Sequence, residues 1–232
     1  KLLSKKLSLS PDKQSENQLS LAQKWVGTTN FDLRKPNFVV IHHTAQNSCE
    51  QTLKTFTLER TKVSAHYVIC KDGTVHHMLN DYMRAWHGGI SKWGNNSDLN
   101  SSSIGIELDN NGFEPFDSAQ INSLLLLLAQ LKENYKIPDA NFIGHADIAP
   151  KRKVDPNIQF PWILLAQKGY GLWFEPDAKF SLPESISIPF ALAMVGYDIK
   201  DTTAALLAFK RHFRTDSTAV VTESDRSVLY QL

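Results

Sequence analysis

The sequence has few cysteines, almost no net charge and no long apolar run. Its most apolar stretch, LLLLLAQL at 124–131, is far shorter than the roughly 20 apolar residues that a membrane-spanning helix needs. The 25 Lys and Arg residues nearly balance 24 Asp and Glu residues, and the resulting net charge of +1 argues against nucleic acid as a partner. Cys49 and Cys70 are too few for a disulfide framework, and the pattern leaves open whether they form one bridge or two buried thiols.

What remains is an ordinary globular composition, with 42% hydrophobic and 21% charged residues in a chain of 232. Residues 1–30 are rich in Lys, Ser, Gln and Asn, which predicts an N-terminal arm or tether with little fixed structure. The first residue is Lys1 and not methionine, which we interpret as a mature or trimmed product from which any export signal would already be missing. Two prolines and little periodicity predict a linker at 174–184, followed by a helical unit at 185–232.

Segments typical of strands alternate with segments typical of helices over residues 31–173. The strand candidates are FVVI (38–41), a hairpin at 65–79, SIGIELDN (103–110) and NFIGH (141–145). The clearest helix is predicted at 117–135, where Asp117 and Gln120 resemble a capping box. This order predicts an α/β fold with a mixed central β-sheet flanked by helices, followed by a small three-helix domain.

The histidines include two with a distinctive position. A structural role is the more common one for any single histidine near a strand. His42 and His145, however, both end predicted strands, where α/β folds collect their sites, and Asp155 follows in a proline-rich loop. Two neutral imidazoles and one carboxylate make a ligand set for catalytic zinc that leaves one position open for water. The sequence therefore predicts one zinc ion per chain at His42, His145 and Asp155.

Two charged residues are candidates for catalysis. Glu107 lies on the opposite face of its strand from the apolar residues of SIGIEL, and a lone carboxylate is costly to bury unless it is partnered or used. It is either a general base or a strand-edge glutamate in solvent. Lys153, in the basic run KRK, is either part of a solvated loop or a cation that stabilises an oxyanion.

Trp86 and His87 open a long loop rich in Gly, Ser and Asn. Loops of this length in a compact domain are often functional. Trp86 is predicted either to pack in the core or, as an amphipathic ring, to form a wall of a substrate groove together with His87.

Five motifs occur in a specific order and spacing: VIHHTA, SAHYVI, AWHGGISKW, SIGIELDN and GHADIAPKRKVDP. Together they resemble the type 2 N-acetylmuramoyl-L-alanine amidases, a group that includes phage amidases and peptidoglycan-recognition proteins. The resemblance covers about residues 34–173. It is greatest to the Gram-negative periplasmic and outer-membrane branch, because Asp155 stands where many phage and animal members have Cys.

The resemblance implies zinc ligation by His42, His145 and Asp155. It also implies that Glu107 is the catalytic glutamate and that Lys153 stabilises the oxyanion.

The resemblance leaves other residues with lesser roles. His43 is expected to be a neighbour of the site or structural, and His66 to pack near the floor of the site. His76, His77 and His212 are expected to be structural or exposed. LAMVGYDI and LLAFKRHFR resemble a three-helix peptidoglycan-binding module, with simple support of the first domain as the alternative.

The expected function is hydrolysis of the amide between the lactyl group of N-acetylmuramic acid and L-alanine of the stem peptide. A non-catalytic peptidoglycan-recognition protein and a zinc peptidase acting within the stem peptide are the alternatives. The implied partners are peptidoglycan and muropeptides. We expect a monomer in the periplasm or at the outer membrane, with a lipid anchor or other membrane tether as a further expectation.

Overall fold

The computed structural model describes residue 30 and residues 32–177 and 180–232. Apart from Asn30, the predicted arm at residues 1–30 lies outside the described residues. Residues 33–232 form one compact unit built on a five-stranded sheet. The strands are β1 (Phe38–His43), β2 (Tyr67–Ile69), β3 (Val75–His77), β4 (Ser103–Leu108) and β5 (Phe142–Gly144).

The strand order is β3-β2-β4-β1-β5. Strands β2, β4, β1 and β5 run parallel, and β3 is antiparallel to β2 as the predicted hairpin requires, so the predicted mixed sheet is confirmed. Central parallel strands are covered on both faces, and β1 is accordingly almost entirely buried. The carboxyl ends of β4, β1 and β5 therefore meet at one edge of the sheet, with His42 paired in register with Glu107.

Helices cover the sheet and continue after it. They are α1 (Cys49–Thr57), α2 (Leu99–Ser102), α3 (Ser118–Tyr135), α4 (His145–Ile148), α5 (Trp162–Gln167), α6 (Ile188–Val195), α7 (Thr202–Phe213) and α8 (Glu223–Gln231). Short 3₁₀ turns occur at Glu59–Thr61, Asp139–Asn141 and Ile199–Asp201. None of the helices in the described parts of the chain combines the length and apolar character needed to cross a membrane.

Helix α3 forms the largest part of the main core. Leu124, Leu128 and Leu131 are almost fully buried against the sheet, as their helical spacing predicts. The predicted capping box is wrong in its detail: Asp117 is the N-cap residue but makes no side-chain capping bond. Gln120 is buried and donates its amide to the carbonyls of Ile69 and Asp109, because a buried amide must find partners wherever the fold supplies them.

Cys49 and Cys70 form a disulfide, which decides between the two alternatives that the sequence left open. The bridge joins the first residue of α1 to the residue that follows β2, with a Cα–Cα distance of 5.4 Å. The 21-residue separation closed by the bridge contains the rest of α1, a 3₁₀ turn and β2, so the cross-link fixes the start of α1 beside the end of β2.

The C-terminal helices have their own hydrophobic cluster. Leu192, Leu206, Phe209 and Leu229 are at its centre, and Ala146 of α4 belongs to the same cluster. The described residues on either side of 174–184 therefore share apolar contacts, while the division of the chain at this segment stays a prediction.

Lys210 on α7 contacts both the following loop and α8. Its ammonium group is fully buried on α7, where it forms an ion pair with Asp216 at 2.6 Å and donates to Thr218 and to the carbonyl of Val220. The carboxylate of Asp225 on α8 lies 3.5 Å away. A buried ammonium needs such a set of partners, and this set holds the connecting loop against both helices.

We expect the double substitution Cys49→Ser, Cys70→Ser to lower the free energy of unfolding by about 3 kcal/mol, the entropy effect of opening a loop of about 20 residues in the unfolded chain. Urea denaturation of the wild type and the variant measures the difference. Under reducing conditions the two proteins should unfold at closely similar urea concentrations. An unchanged midpoint under oxidising conditions would show that the bridge does not stabilise this protein.

Candidate metal centre and active site

Three side chains converge at the carboxyl edge of the sheet. His42 is near the end of β1, His145 begins α4 directly after β5, and Asp155 comes from the following loop, held by a bond from the Ala146 amide to its carbonyl at 2.7 Å. The two Nδ1 atoms are 2.9 Å apart, and Asp155 Oδ2 lies 2.9 Å from Nδ1 of His145 and 3.2 Å from Nδ1 of His42. All three residues are buried.

A chain of buried hydrogen bonds determines which nitrogen of His42 carries its proton. The hydroxyl of Ser103 donates to the carbonyl of Leu99, so it can only accept from Nε2 of His87, 3.1 Å away. Nδ1 of His87 is then an acceptor and receives the Nε2 proton of His42 at 3.0 Å. Nδ1 of His42 is left with a free lone pair directed at the other two side chains.

His145 has the same tautomer as His42, and a single hydrogen bond determines it. Its Nε2 lies 3.2 Å from the carbonyl of Gly88, which can only accept, so the proton is on Nε2 and the lone pair on Nδ1. Burial also lowers the pKa of His42 to about 4, with the neighbouring His145 acting in the same direction, which favours the neutral ring.

Two imidazole lone pairs and one carboxylate oxygen thus face one another, and they repel unless a cation lies between them. Their separations are close to the roughly 3.3 Å between ligands that bond lengths of about 2.0–2.1 Å give in a tetrahedral zinc site. The donor set of two nitrogens and one oxygen suits zinc, and the residues that the sequence singled out fit the metal that it predicted.

Glu107 lies beside these three residues. Its Oε1 is 3.9 Å from Nδ1 of His42, and its Oε2 has no hydrogen-bond partner among the described residues although it is buried. Burial, and after it the negative charge of Asp155, raise the pKa of Glu107 to about 8 against the opposing positive charge of Lys153. The side chain is only 12% exposed, so it does not have the solvated position that the sequence left open.

A cleft of about 400 Å³ opens onto the site. Glu107, His145 and Asp155 lie along it, and Lys153 and Trp86 are also in its wall. Trp86 is 48% exposed, which places its ring at a surface and not in the core. The structure therefore places Trp86, His87, Glu107, His145, Lys153 and Asp155 around one cleft. His42 is in contact with two of them, His145 and Asp155.

His87 borders the cleft, but both its ring nitrogens are occupied by His42 and Ser103. The contact of His87 with substrate stays a prediction. The hydrogen bond between the two rings also indicates that His87 orients His42. Gly105 stands directly beneath this ring, and a Cβ there would lie 2.4 Å from Cγ of His87. No sequence pattern pointed to Ser103 or Gly105 as supports of the metal ligand.

His43 is the neighbour of His42 on β1, and adjacent side chains of a strand point to opposite faces of the sheet. It borders the cleft, and its Nδ1 is buried without a hydrogen-bond partner among the described residues. His66 is fully buried, with Nδ1 accepting from the amide of Gly105 at 3.0 Å and Nε2 lying 2.6 Å from Arg34 Nη2. The structural expectation for His66 agrees with these contacts.

The remaining histidines lie away from the cleft. His76 is partly exposed, and His77 stacks on Tyr67, with ring centroids 4.5 Å apart. His212 is buried, and its Nδ1 is 2.7 Å from Oδ2 of Asp147. Asp147 was not singled out from the sequence, although a carboxylate two residues after a proposed metal ligand is a candidate support for that ligand.

Comparison with known proteins supports a single assignment. Residues 32–158 match the sequence profile described as N-acetylmuramoyl-L-alanine amidase. The amidase AmiD of Escherichia coli K12 is 36% identical over 209 residues, which cover 76% of this chain and 74% of AmiD. The 1,6-anhydro-N-acetylmuramyl-L-alanine amidase AmpD of Haemophilus influenzae is 40% identical over 102 residues, which cover 44% of this chain and 55% of AmpD.

Solved structures agree in fold. AmiD from E. coli, in complex with the substrate anhydro-N-acetylmuramic acid-L-Ala-D-γ-Glu-L-Lys, superposes with a TM-score of 0.78 at 30% identity and covers 89% of this chain and 91% of that one. AmpDh3 from Pseudomonas aeruginosa, in complex with an anhydromuramic pentapeptide, superposes with a TM-score of 0.79 at 28% identity and covers 93% and 98%. The chain described here belongs to the N-acetylmuramoyl-L-alanine amidase family.

Proposed function

We propose that the protein is a zinc-dependent amidase that hydrolyses the bond between the lactyl group of N-acetylmuramic acid and L-alanine of the peptidoglycan stem peptide. The observation that carries the metal assignment is the convergence of three unprotonated donor atoms beside a buried glutamate. Peptidoglycan fragments as substrates are supported by the ligands of the AmiD and AmpDh3 complexes.

His42 and His145 would hold the zinc ion through Nδ1, and Asp155 through Oδ2. When bound, zinc supplies Lewis acidity, which lowers the pKa of water and polarises a carbonyl group. Glu107 in its ionised form, which the positive charge of a bound zinc ion would favour, accepts the proton of the attacking water as the new C–O bond forms. When the C–N bond breaks, Glu107 delivers that proton to the leaving amine of L-alanine. Lys153 carries the positive charge that stabilises the oxyanion between these two steps.

Trp86 is proposed to form a wall for the substrate, because its indole is half exposed on the cleft next to the reacting groups. His87 is proposed to contact substrate with the edge of its ring that faces the cleft.

Two other functions share parts of this site. A non-catalytic recognition protein has no need for a metal-ligand set complete with a buried carboxylate, and this chain has both. A zinc peptidase acting within the stem peptide needs the same ligands and the same base, so the identity of the reaction products separates it from the amidase.

The C-terminal helices at 185–232 are proposed to form a peptidoglycan-binding module after a linker at 174–184. Peptidoglycan lies outside the cytoplasmic membrane, so the proposed place of action is the periplasm or the outer membrane, including a lipid-anchored form. The proposed state is a monomer with one zinc ion.

The products of digestion test the proposed reaction. Purified muropeptides incubated with the zinc-loaded protein should yield free stem peptides with an L-alanine amino terminus and the sugar with its lactyl carboxyl group. A chelator should abolish both products, and added zinc should restore them. Mass analysis that finds shortened stem peptides would assign a peptidase instead. Intact muropeptides after incubation with a protein that contains zinc would assign a recognition protein.

The neighbouring histidines allow a matched test of metal binding. His42→Ala removes one of three donor atoms and should lower zinc affinity by at least about 100-fold, since each ligand contributes several kcal/mol. His43→Ala removes a ring of the same size at the adjacent position and should retain about one zinc ion per chain. Metal analysis after dialysis measures both. Loss of zinc from His43→Ala but not from His42→Ala would reverse the assignment.

Glu107→Gln keeps the shape of the side chain and removes its ability to accept a proton. We expect kcat to fall by about 10²- to 10⁴-fold, the usual range for a general acid–base group, while the zinc content is unchanged. Asp109→Asn is the control, because Asp109 is a buried carboxylate two residues further on that does not border the cleft. Near wild-type turnover of Glu107→Gln would remove Glu107 from the mechanism.

A further inference from the structure

Asp147 is a buried carboxylate that the proposed reaction does not use. It lies in α4, two residues after His145, and is 1% exposed. Its Oδ2 accepts from the backbone amide of Gly144 at 2.7 Å, so the side chain closes the turn between β5 and α4. This turn carries His145, and its conformation decides where Nδ1 of His145 points.

The other two partners of Asp147 come from the C-terminal helical region: Tyr197 follows α6, and His212 lies on α7. Tyr197 donates its hydroxyl to Oδ1 at 2.9 Å, across 50 residues of chain. Nδ1 of His212 donates to Oδ2 at 2.7 Å, across 65 residues. Both side chains are buried, so these bonds are made in a site from which water is excluded.

Both donors are themselves held in place. The imidazole of His212 stacks on Trp162 at a centroid distance of 3.8 Å and on Phe213 at 4.2 Å. The ring of Tyr197 packs edge-on against Trp93 at 4.9 Å. Rigid donors leave the carboxylate of Asp147 one orientation that satisfies all its bonds.

The turn has no space to adapt if the carboxylate moves. A Cβ on Gly144 would lie 2.9 Å from Cδ of Pro156 and 3.0 Å from Cζ2 of Trp162. Pro156 directly follows the third ligand, Asp155, so a shift of the turn would press on the segment that carries this ligand as well.

We propose that Tyr197 and His212 are positioning residues for the zinc centre, acting through Asp147 on the turn that carries His145. The C-terminal helices therefore contribute to metal binding in addition to any contact with the cell wall. The inference rests on the proposed zinc site. Groups that orient metal ligands commonly change metal affinity by 10- to 100-fold when removed. Tyr197 and His212 act one bond further away, so about three- to tenfold per residue is expected.

Zinc affinity of the metal-free full-length protein, measured by competition with a chromophoric chelator, tests this inference without reference to turnover. Tyr197→Phe removes one hydroxyl and should weaken zinc binding about threefold. His212→Phe keeps a ring to stack on Trp162 but removes the donor, and should weaken binding about tenfold. His212→Asn removes the ring but offers a side-chain amide at the place of Nδ1, and should bind zinc like the wild type.

A stability control separates positioning from general loosening. Val228 is buried in the C-terminal cluster on α8 and is not a partner of Asp147, so Val228→Ala should lower the unfolding midpoint and leave zinc affinity unchanged. Equal zinc affinity of the wild type, Tyr197→Phe and His212→Phe would overturn the inference. So would a loss in Val228→Ala as large as that in His212→Phe. A wild-type protein that binds no zinc would overturn the proposed zinc site itself.

Discussion

The mutual repulsion of three electron-rich atoms is the constraint on which the rest of the site depends. Nδ1 of His42, Nδ1 of His145 and Oδ2 of Asp155 are held within 3.2 Å of one another in a buried position. Such a cluster is unfavourable by itself, because each lone pair faces another. The surrounding fold must therefore keep the donor atoms in place, and it does so through strand pairing and through hydrogen bonds to the imidazole rings.

The parallel sheet supplies the first of these means. Pairing of β1 with both β4 and β5 brings the ends of three strands to one edge, although His42 and His145 are 103 residues apart in the chain. Hydrogen bonds supply the second. The path from Ser103 through His87 determines the tautomer of His42, and the carbonyl of Gly88 does the same for His145. A site arranged in this way is ready for a cation before the cation arrives.

Much of this arrangement could be predicted because it follows from short-range patterns. The period of two in SIGIEL separated Glu107 from its apolar neighbours, and the strand ends indicated His42 and His145. The contacts of His212 could not be predicted in this way, since its partner is 65 residues distant and helix periodicity indicates only that a face is buried. The bridge of Cys49 to Cys70 was left open for the same reason: a separation of 21 residues does not reveal a Cα distance of 5.4 Å.

The Oε2 atom of Glu107, which has no hydrogen-bond partner in the described parts of the chain, has a consequence for the stability of the whole molecule. A buried carboxylate oxygen without a donor lowers the stability of the folded chain, and an apolar side chain of similar volume at this position would remove that penalty. Glu107, the proposed general base, thus makes the wild-type protein less stable than a variant with an apolar side chain at this position would be. Selection for thermal resistance alone would be expected to replace this glutamate and yield a sturdier protein without the proposed base.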